Sequence, residues 1–232
     1  MMEIRRADER GEANFGWLHS RHTFSFGHYH DPRFMGFGSL RVINDDRVYP
    51  GRGFDTHSHA NMEIVSYVLD GALEHKDSMG NGSVIRPGEF QRMSAGTGVQ
   101  HSEYNASATD EVHFLQIWII PEQEGMEPGY EQKDFPMDEK QGKLRLVGSR
   151  DGRDGSVTIH QNLDLYATCL SAGDAVTYQL EQDHKGWVHV ATGNAMIDDE
   201  TIGAGDGIAI AGGTSFSLSG VEAAELLLFD MG

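Results

Sequence analysis

Short runs in which apolar and polar residues alternate dominate the first 120 residues of the chain. Alternation with a period of two is typical of β-strands that are buried on one face. Groups rich in glycine, proline and asparagine separate these runs, as expected for tight turns between antiparallel strands. The clearest predicted strands are residues 62–69, 71–77, 83–86, 89–94, 101–105 and 111–120. Their regular spacing predicts a meandering antiparallel barrel.

Two predicted strands depart from this simple pattern. Residues 39–45 form a strand that runs into the sequence Asn-Asp-Asp at 44–46, which predicts a turn because Asn and Asp favour turns. The run 112–119 is apolar on both faces, with Phe114 on one and Leu115 on the other. It therefore predicts a strand buried on both sides, with a second layer packed against the barrel.

The chain divides at a segment with the composition of a linker. Residues 121–142 are rich in proline, glycine and charge, and strand-like runs resume near Lys143. The chain has 29 glycines and no long stretch of helical periodicity, which points to an all-β protein of barrels or sandwiches. We therefore predict an all-β chain with two domains, residues 1–136 and 137–232.

Charge and cysteine content limit the partners and the compartment. The 36 acidic and 18 basic residues give a formal charge of −18, which repels phosphate backbones and anionic membranes, so direct nucleic-acid binding is not expected. Cys169 is the only cysteine, so no intrachain disulfide forms, which fits a reducing compartment. No stretch approaches the ~20 apolar residues of a membrane span. We expect a cytoplasmic protein.

Two pairs of metal-binding residue types lie at i and i+2, His57 with His59 and His101 with Glu103. Side chains two apart on a strand point the same way, so two neighbouring strands could direct all four at one point. Among twelve histidines some close pairs arise by chance. However, glycines precede both pairs and a β-branched run follows the first, as expected for strands at the rim of a barrel. This context favours a metal site.

The segments around these pairs resemble known motifs. GFDTHSHANMEIVSYVLDG at 53–71 resembles the first cupin motif, and GTGVQHSEYN at 96–105 resembles the end of the second. With HTFSFGHYHDPRFMGFGSLRVINDD at 22–46 and EHKDSMGNG at 74–82, the chain resembles the pirin family, and most of all its bacterial branch with quercetin 2,3-dioxygenase activity. The resemblance implies a bicupin, with two jelly-roll type β-barrels in tandem.

The resemblance also implies the ligands of the site. His57, His59, His101 and Glu103, rather than Glu63, would bind one divalent transition metal. Ligand type alone admits Fe, Mn, Cu, Ni, Co or Zn, and the resemblance places iron first. The lack of a cysteine ligand argues against a closed structural zinc site.

The implied reaction is the dioxygen-dependent opening of the central ring of a flavonol such as quercetin, with release of carbon monoxide. Its substrates would be a small aromatic molecule and O2. Glu103, or Glu63 if it points inward, would take the proton of the flavonol hydroxyl.

A faint internal repeat indicates whether the second barrel has metal ligands. Residues 87–103 align with 204–220, which places Leu218 opposite His101 and Gly220 opposite Glu103. The repeat therefore predicts a degenerate C-terminal cupin domain without metal ligands.

Two rival functions need the same four ligands. One is a pirin-like, metal-dependent redox regulator that acts by binding protein partners, and the other is a metal-dependent binder of sugars or other small molecules. The character of the pocket distinguishes the enzyme from these rivals, because an enzyme for a flat aromatic substrate needs an open apolar cavity at the metal. Residues that could line such a cavity, or equally form the core, are Phe24, Phe26, Met62, Met93, Phe114 and Trp118.

Four further histidines, which could suggest a second metal site, occur before the first motif. They are His19, His22, His28 and His30. Their irregular spacing, with aromatic residues between them, favours ordinary packing and hydrogen bonding instead.

Overall fold

The protein is almost entirely β-strand in a computed structural model that describes residues 2–232. Strands make up 58% of it and helices 4%, in two cupin-type domains, which confirms the predicted all-β class and bicupin architecture. The helical segments are Ala7–Glu9, Met137–Lys140 and Arg153–Gly155. Within residues 2–232, none of these helices has the length and apolar character needed to cross a bilayer.

The strands of the first 134 residues are β1 (Met2–Arg5), β2 (Gly11–Asn14), β3 (Leu18–His22), β4 (Leu40–Val48), β5 (Gly53–His59), β6 (Glu63–Asp70), β7 (Leu73–Asp77), β8 (Gly82–Ile85), β9 (Glu89–Ser94), β10 (Val99–Asn105), β11 (Val112–Ile119) and β12 (Gly129–Asp134). Those that follow are β13 (Arg145–Ser149), β14 (Val157–Thr158), β15 (Leu163–Leu170), β16 (Ala175–Gln179), β17 (Lys185–Thr192), β18 (Asn194–Ile197), β19 (Glu200–Gly203), β20 (Gly207–Ala211), β21 (Ser215–Gly220) and β22 (Ala224–Met231).

The N-terminal unit, residues 11–134 with 157–161, consists of two antiparallel sheets. Seven strands follow the order β12-β9-β6-β11-β4-β3-β2, and four follow β5-β10-β7-β8. The two sheets pack face to face, because one cluster of buried side chains draws on both. Its members are Leu18, Val48, Val68, Leu73, Ile85, Val112 and Phe114, with Trp17 and Phe54 against them.

Strand β11 lies at the centre of the seven-stranded sheet, between β4 and β6. Phe114 on one face and Leu115 and Ile117 on the other are all fully buried. The prediction that this strand is buried on both faces is therefore confirmed.

The predicted turn at residues 44–46 is wrong, because β4 continues through these residues to Val48. Their side chains find partners on neighbouring strands. His22 Nδ1 lies 2.8 Å from Asn44 Oδ1, Asp46 is hydrogen-bonded to Ser20, and Asp45 Oδ1 lies 2.7 Å from His113 Nε2. Such cross-strand pairs offset the low strand propensity of Asn and Asp.

The C-terminal unit comprises residues 2–10, 135–156 and 162–232. Six of its strands follow the order β1-β20-β17-β22-β15-β13, and four more follow β16-β21-β18-β19. Its interior is a cluster of mostly aliphatic side chains that includes Leu218, with Ile4 of β1 packed against it.

Two short segments belong to a different unit from the one to which the predicted division at residue 136 assigns them. Residues 2–10 cluster with the C-terminal strands, because β1 pairs with β20 along its whole length. Residues 157–161 cluster with the N-terminal strands. A single boundary therefore does not describe the two units.

The two units share a close backbone approach at Gly71 and Gly193. Both have positive φ, at +78° and +72°. A Cβ on Gly71 would lie 2.7 Å from the Glu111 backbone oxygen, and a Cβ on Gly193 would overlap the corresponding Ala223 oxygen. In each unit the chain thus crosses closely over the start of a central strand, β11 or β22.

We expect Gly193→Ala to lower the free energy of unfolding well beyond the roughly 1–2 kcal/mol that a left-handed backbone costs a non-glycine residue. The added methyl group would also collide with the Ala223 carbonyl. Gly173→Ala is the matched control, since Gly173 has φ +90° and no atom within 4 Å of its Cβ position. Denaturant unfolding of both variants measures the difference, and equal losses would rule out the steric contact.

Candidate metal centre

The pairing of β5 with β10 brings three of the predicted ligands together. His57 lies directly opposite His101, and His59 lies opposite Val99. The Nε2 atoms of His57 and His101 are 3.1 Å apart, and the three ring centroids are separated by 4.4–4.9 Å. The imidazoles of His57, His59 and His101 thus converge on one point.

Glu103 is held differently from the histidines. The β5–β10 register shifts between His101 and Glu103, and the Glu103 side chain is buried. Its Oε1 accepts a hydrogen bond from Ser66 Oγ at 3.0 Å, and its Oε2 accepts one from Gln116 Nε2 at 2.7 Å. Because Ser66 and Gln116 lie on β6 and β11, the carboxylate connects the two sheets.

The four predicted ligands therefore form two overlapping groups. His57, His59 and His101 offer ligand atoms within 4.8 Å of one another, and Glu103 forms a second such group with His101 and His75. All four predicted ligands line the same cavity.

His75 is not among the residues predicted from sequence. This residue pairs with Glu103 across β7 and β10 and is fully buried, with its ring between those of His101 and Tyr130. His75 Nε2 lies 3.1 Å from Asp77 Oδ2. The signal was present, since His75 and Asp77 are an i, i+2 pair within the EHKDSMGNG segment.

Hydrogen bonding and burial prepare the imidazoles to bind a cation. His57 Nδ1 donates to the Asp55 carbonyl at 2.7 Å, so the Nε2 lone pair faces the site. Burial and the neighbouring His101 and His57 rings lower the pKa of His59 to about 4. Burial and the nearby His57 and His75 rings lower the pKa of His101 to about 3.

This donor set fits a divalent first-row transition metal. The Nε2 atoms of His57 and His101 already converge, and such metals prefer imidazole and carboxylate donors.

Glu63, the second candidate base, lies away from the cavity. Strand alternation directs its neighbours Ile64 and Ser66 toward the site, so Glu63 points to the opposite face of β6. There it is fully buried, and its Oε2 accepts hydrogen bonds from the backbone N–H of His160 at 3.1 Å and from the His160 ring at 3.2 Å. The structure does not bring Glu63 to the predicted ligands His57, His59 and His101.

The cavity beside the histidines has a volume of about 500 Å³. Of the six apolar residues considered from sequence, Phe26 and Trp118 line it. Phe24, Met93 and Phe114 are fully buried, and Met62 is partly buried against the cluster that contains Met93. The Trp118 ring packs edge-on against Phe26 and His59, with centroids at 5.3 and 5.0 Å. The other apolar residues that line the cavity are Phe15, Leu18, Phe54 and Ile64.

None of the four early histidines belongs to either metal-competent group within residues 2–232. His19 pairs with Glu12. His22 and His28 line the cavity.

Two family models match the chain. The model described as Pirin matches residues 3–119, and the model described as the quercetinase C-terminal cupin domain matches residues 146–231. Among curated relatives, quercetin 2,3-dioxygenase of Escherichia coli K12 is 49% identical over 231 residues, covering 100% of this chain and 99% of that protein. A pirin-like protein of Caulobacter vibrioides is 37% identical and covers 99% of both chains.

Solved structures give the same relationship. The crystal structure of YhhW from Escherichia coli superposes with a TM-score of 0.96 at 47% identity, covering 100% of this chain and 98% of that one. The structure of the bacterial pirin YhhW from Escherichia coli in complex with nickel(II) has a TM-score of 0.94 at 48% identity, covering 100% and 99%. The resemblance seen in the motifs is thereby confirmed, and the chain belongs to the pirin family.

Proposed function

We propose that this protein is a metal-dependent quercetin 2,3-dioxygenase, which opens the central ring of a flavonol with O2 and releases carbon monoxide. The observation that carries the proposal is the convergence of three imidazoles at a cavity with an aromatic wall. The name of the relatives at 49% identity supports it.

In this proposal His57, His59, His101 and Glu103 bind one divalent transition metal. Nickel(II) in the related YhhW structure supports a metal of this class, and iron is the metal that the motif resemblance implies. When bound, the ion supplies the positive charge that stabilises a deprotonated flavonol hydroxyl and enables its reaction with dioxygen.

The protein's own residues position the substrate and move its proton. Trp118 and Phe26, packed edge to face, form an apolar corner that excludes water from the ring to be cleaved. Each Glu103 oxygen accepts one hydrogen bond and has capacity for about two. Glu103 can therefore act as a ligand and still accept the proton of the flavonol hydroxyl, a role that the position of Glu63 does not support.

The cavity also bears on the regulatory alternative. A regulator needs mainly an exposed partner surface, whereas an enzyme for a flat substrate needs an apolar cavity at the metal. The volume of about 500 Å³ and the aromatic wall favour the enzyme.

We expect His57→Ala and His101→Ala to lower metal affinity by more than about 100-fold, the upper range for loss of a supporting partner, and to abolish oxygen uptake with quercetin. Elemental analysis and an oxygen electrode measure the two effects on the same samples. His19→Gln is the control, since His19 lies outside both metal-competent groups. Full metal content with full turnover in the alanine variants would contradict the ligand assignment.

Metal should remain bound at mildly acidic pH. Protons compete with metals for imidazole nitrogens, and the pKa values of His59 and His101 are lowered to about 4 and about 3. Because a lowered pKa keeps the neutral form, both ligands stay available well below the ordinary histidine pKa of about 6.5. Metal content after dialysis should be constant down to about pH 5 and fall near pH 4. Loss of metal near pH 6.5 from folded protein would argue against these lowered values.

A further inference from the structure

One wall of the cavity is unexpectedly polar. Ser20 and His22 on β3 pair in register with Asp46 and Asn44 on β4, and all four line the cavity. We call these four residues the polar wall. Each is at most 4% exposed, although burying polar side chains costs free energy that aliphatic ones would not.

Hydrogen bonds within the polar wall leave one acceptor atom free. His22 Nδ1 lies 2.8 Å from Asn44 Oδ1 and 3.3 Å from Ser20 Oγ, and Ser20 is hydrogen-bonded to Asp46. Asp46 Oδ1 is buried and has no hydrogen-bond partner. An unsatisfied buried acceptor costs on the order of 1–3 kcal/mol, so a ligand that donates to it gains that free energy on binding.

The polar wall lies on the same sheet as the groups that orient Glu103. Gln116, which donates to Glu103, is the cross-strand neighbour of Asn44. Asp46 is two residues further along β4, so its Cα lies roughly 8 Å from that of Gln116 by ordinary strand spacings. A ligand that reaches both Glu103 and Asp46 must therefore carry two polar groups well separated on its frame.

The carboxyl groups of Asp46 and Glu103 are close enough to interact electrostatically. Burial raises the pKa of Asp46 to about 7 against the opposing hydrogen bond from Ser20, and the charges of Asp45 and Glu103 add to the rise. In its ionised form the Asp46 carboxylate accepts hydrogen bonds through both oxygens.

The sequence of β4 also indicates that residues 44–46 have a functional role. Asn-Asp-Asp is a poor strand sequence, yet it lies within a continuous strand. Local rules are often violated at functional positions, where another benefit offsets the cost.

We infer that Asp46 is a specificity-determining residue, whose Oδ1 accepts a hydrogen bond from a second hydroxyl of the substrate, remote from the one at the histidines. The cavity would then select polyhydroxylated aromatic molecules over those with a single hydroxyl. The inference rests on the proposed function in that the same substrate enters the same cavity.

The test compares quercetin with 3-hydroxyflavone, which keeps the reacting hydroxyl and lacks all the others. Binding to the metal-loaded protein without O2 is followed by quenching of tryptophan fluorescence, since Trp118 lines the cavity, and oxygen uptake is measured separately. We expect the wild type to bind quercetin at least about tenfold more tightly, as for one hydrogen bond to a charged group. Asp46→Leu should remove most of that preference and leave 3-hydroxyflavone binding unchanged.

Further variants separate recognition from folding. Asp46→Asn keeps an acceptor oxygen and should retain the preference, and Asp46→Ala replaces the leucine variant if that one does not fold. Asp45→Asn is the matched control, because Asp45 points to the other face of β4 and pairs with His113.

The outcomes for the two proposals are distinct. Quercetin that binds with the expected preference but is not consumed would overturn the proposed reaction and uphold the role of Asp46. A wild type that binds neither flavonol, or an Asp46→Leu variant that keeps the full preference, would overturn the role of Asp46.

Discussion

The antiparallel pairing of β5 with β10 is the constraint on which the rest of the site depends. Side chains alternate along a strand, so a slip of one residue would turn His57 and His101 to opposite faces. Pairing with β7 fixes the other edge of β10 and brings His75 beside Glu103. Phe54 of β5 packs against the cluster between the sheets. Backbone and core together thus hold the imidazoles in a geometry that suits a cation.

The seven-stranded sheet has a different task from the four-stranded one. The histidines belong to the four-stranded sheet, whereas Ser66 and Gln116, which hold the Glu103 carboxylate, belong to the seven-stranded sheet. The polar wall continues across that sheet on β4 and β3. Sites built on strands hold their groups more precisely than sites on loops. The orientation of the carboxylate and the shape of the cavity are therefore set by one element.

Local patterns were sufficient to predict that His57 and His59 share a face, because i, i+2 spacing on a strand already specifies it. Features that depend on distant residues could not be predicted in this way. Glu63 points to the face of β6 where its partner His160 lies, and His160 is 97 residues away in the chain. The strand at 44–46 was mistaken for a turn, because its polar side chains are satisfied only once β3 lies beside it. The place of β1 was missed, because its partner β20 comes near the end of the chain.

The pairing of β1 with β20 has a consequence for how the protein folds during synthesis. Met2 pairs with Ile210, so β1 cannot pair until the chain has been synthesised as far as β20. The N-terminal unit needs nothing beyond residue 161 and can close much earlier. Pairings of such long sequence separation form slowly, and an unpaired strand is prone to associate with other chains. The unit that carries the predicted histidine ligands can therefore form first, and β1 remains unpaired until β20 has been synthesised.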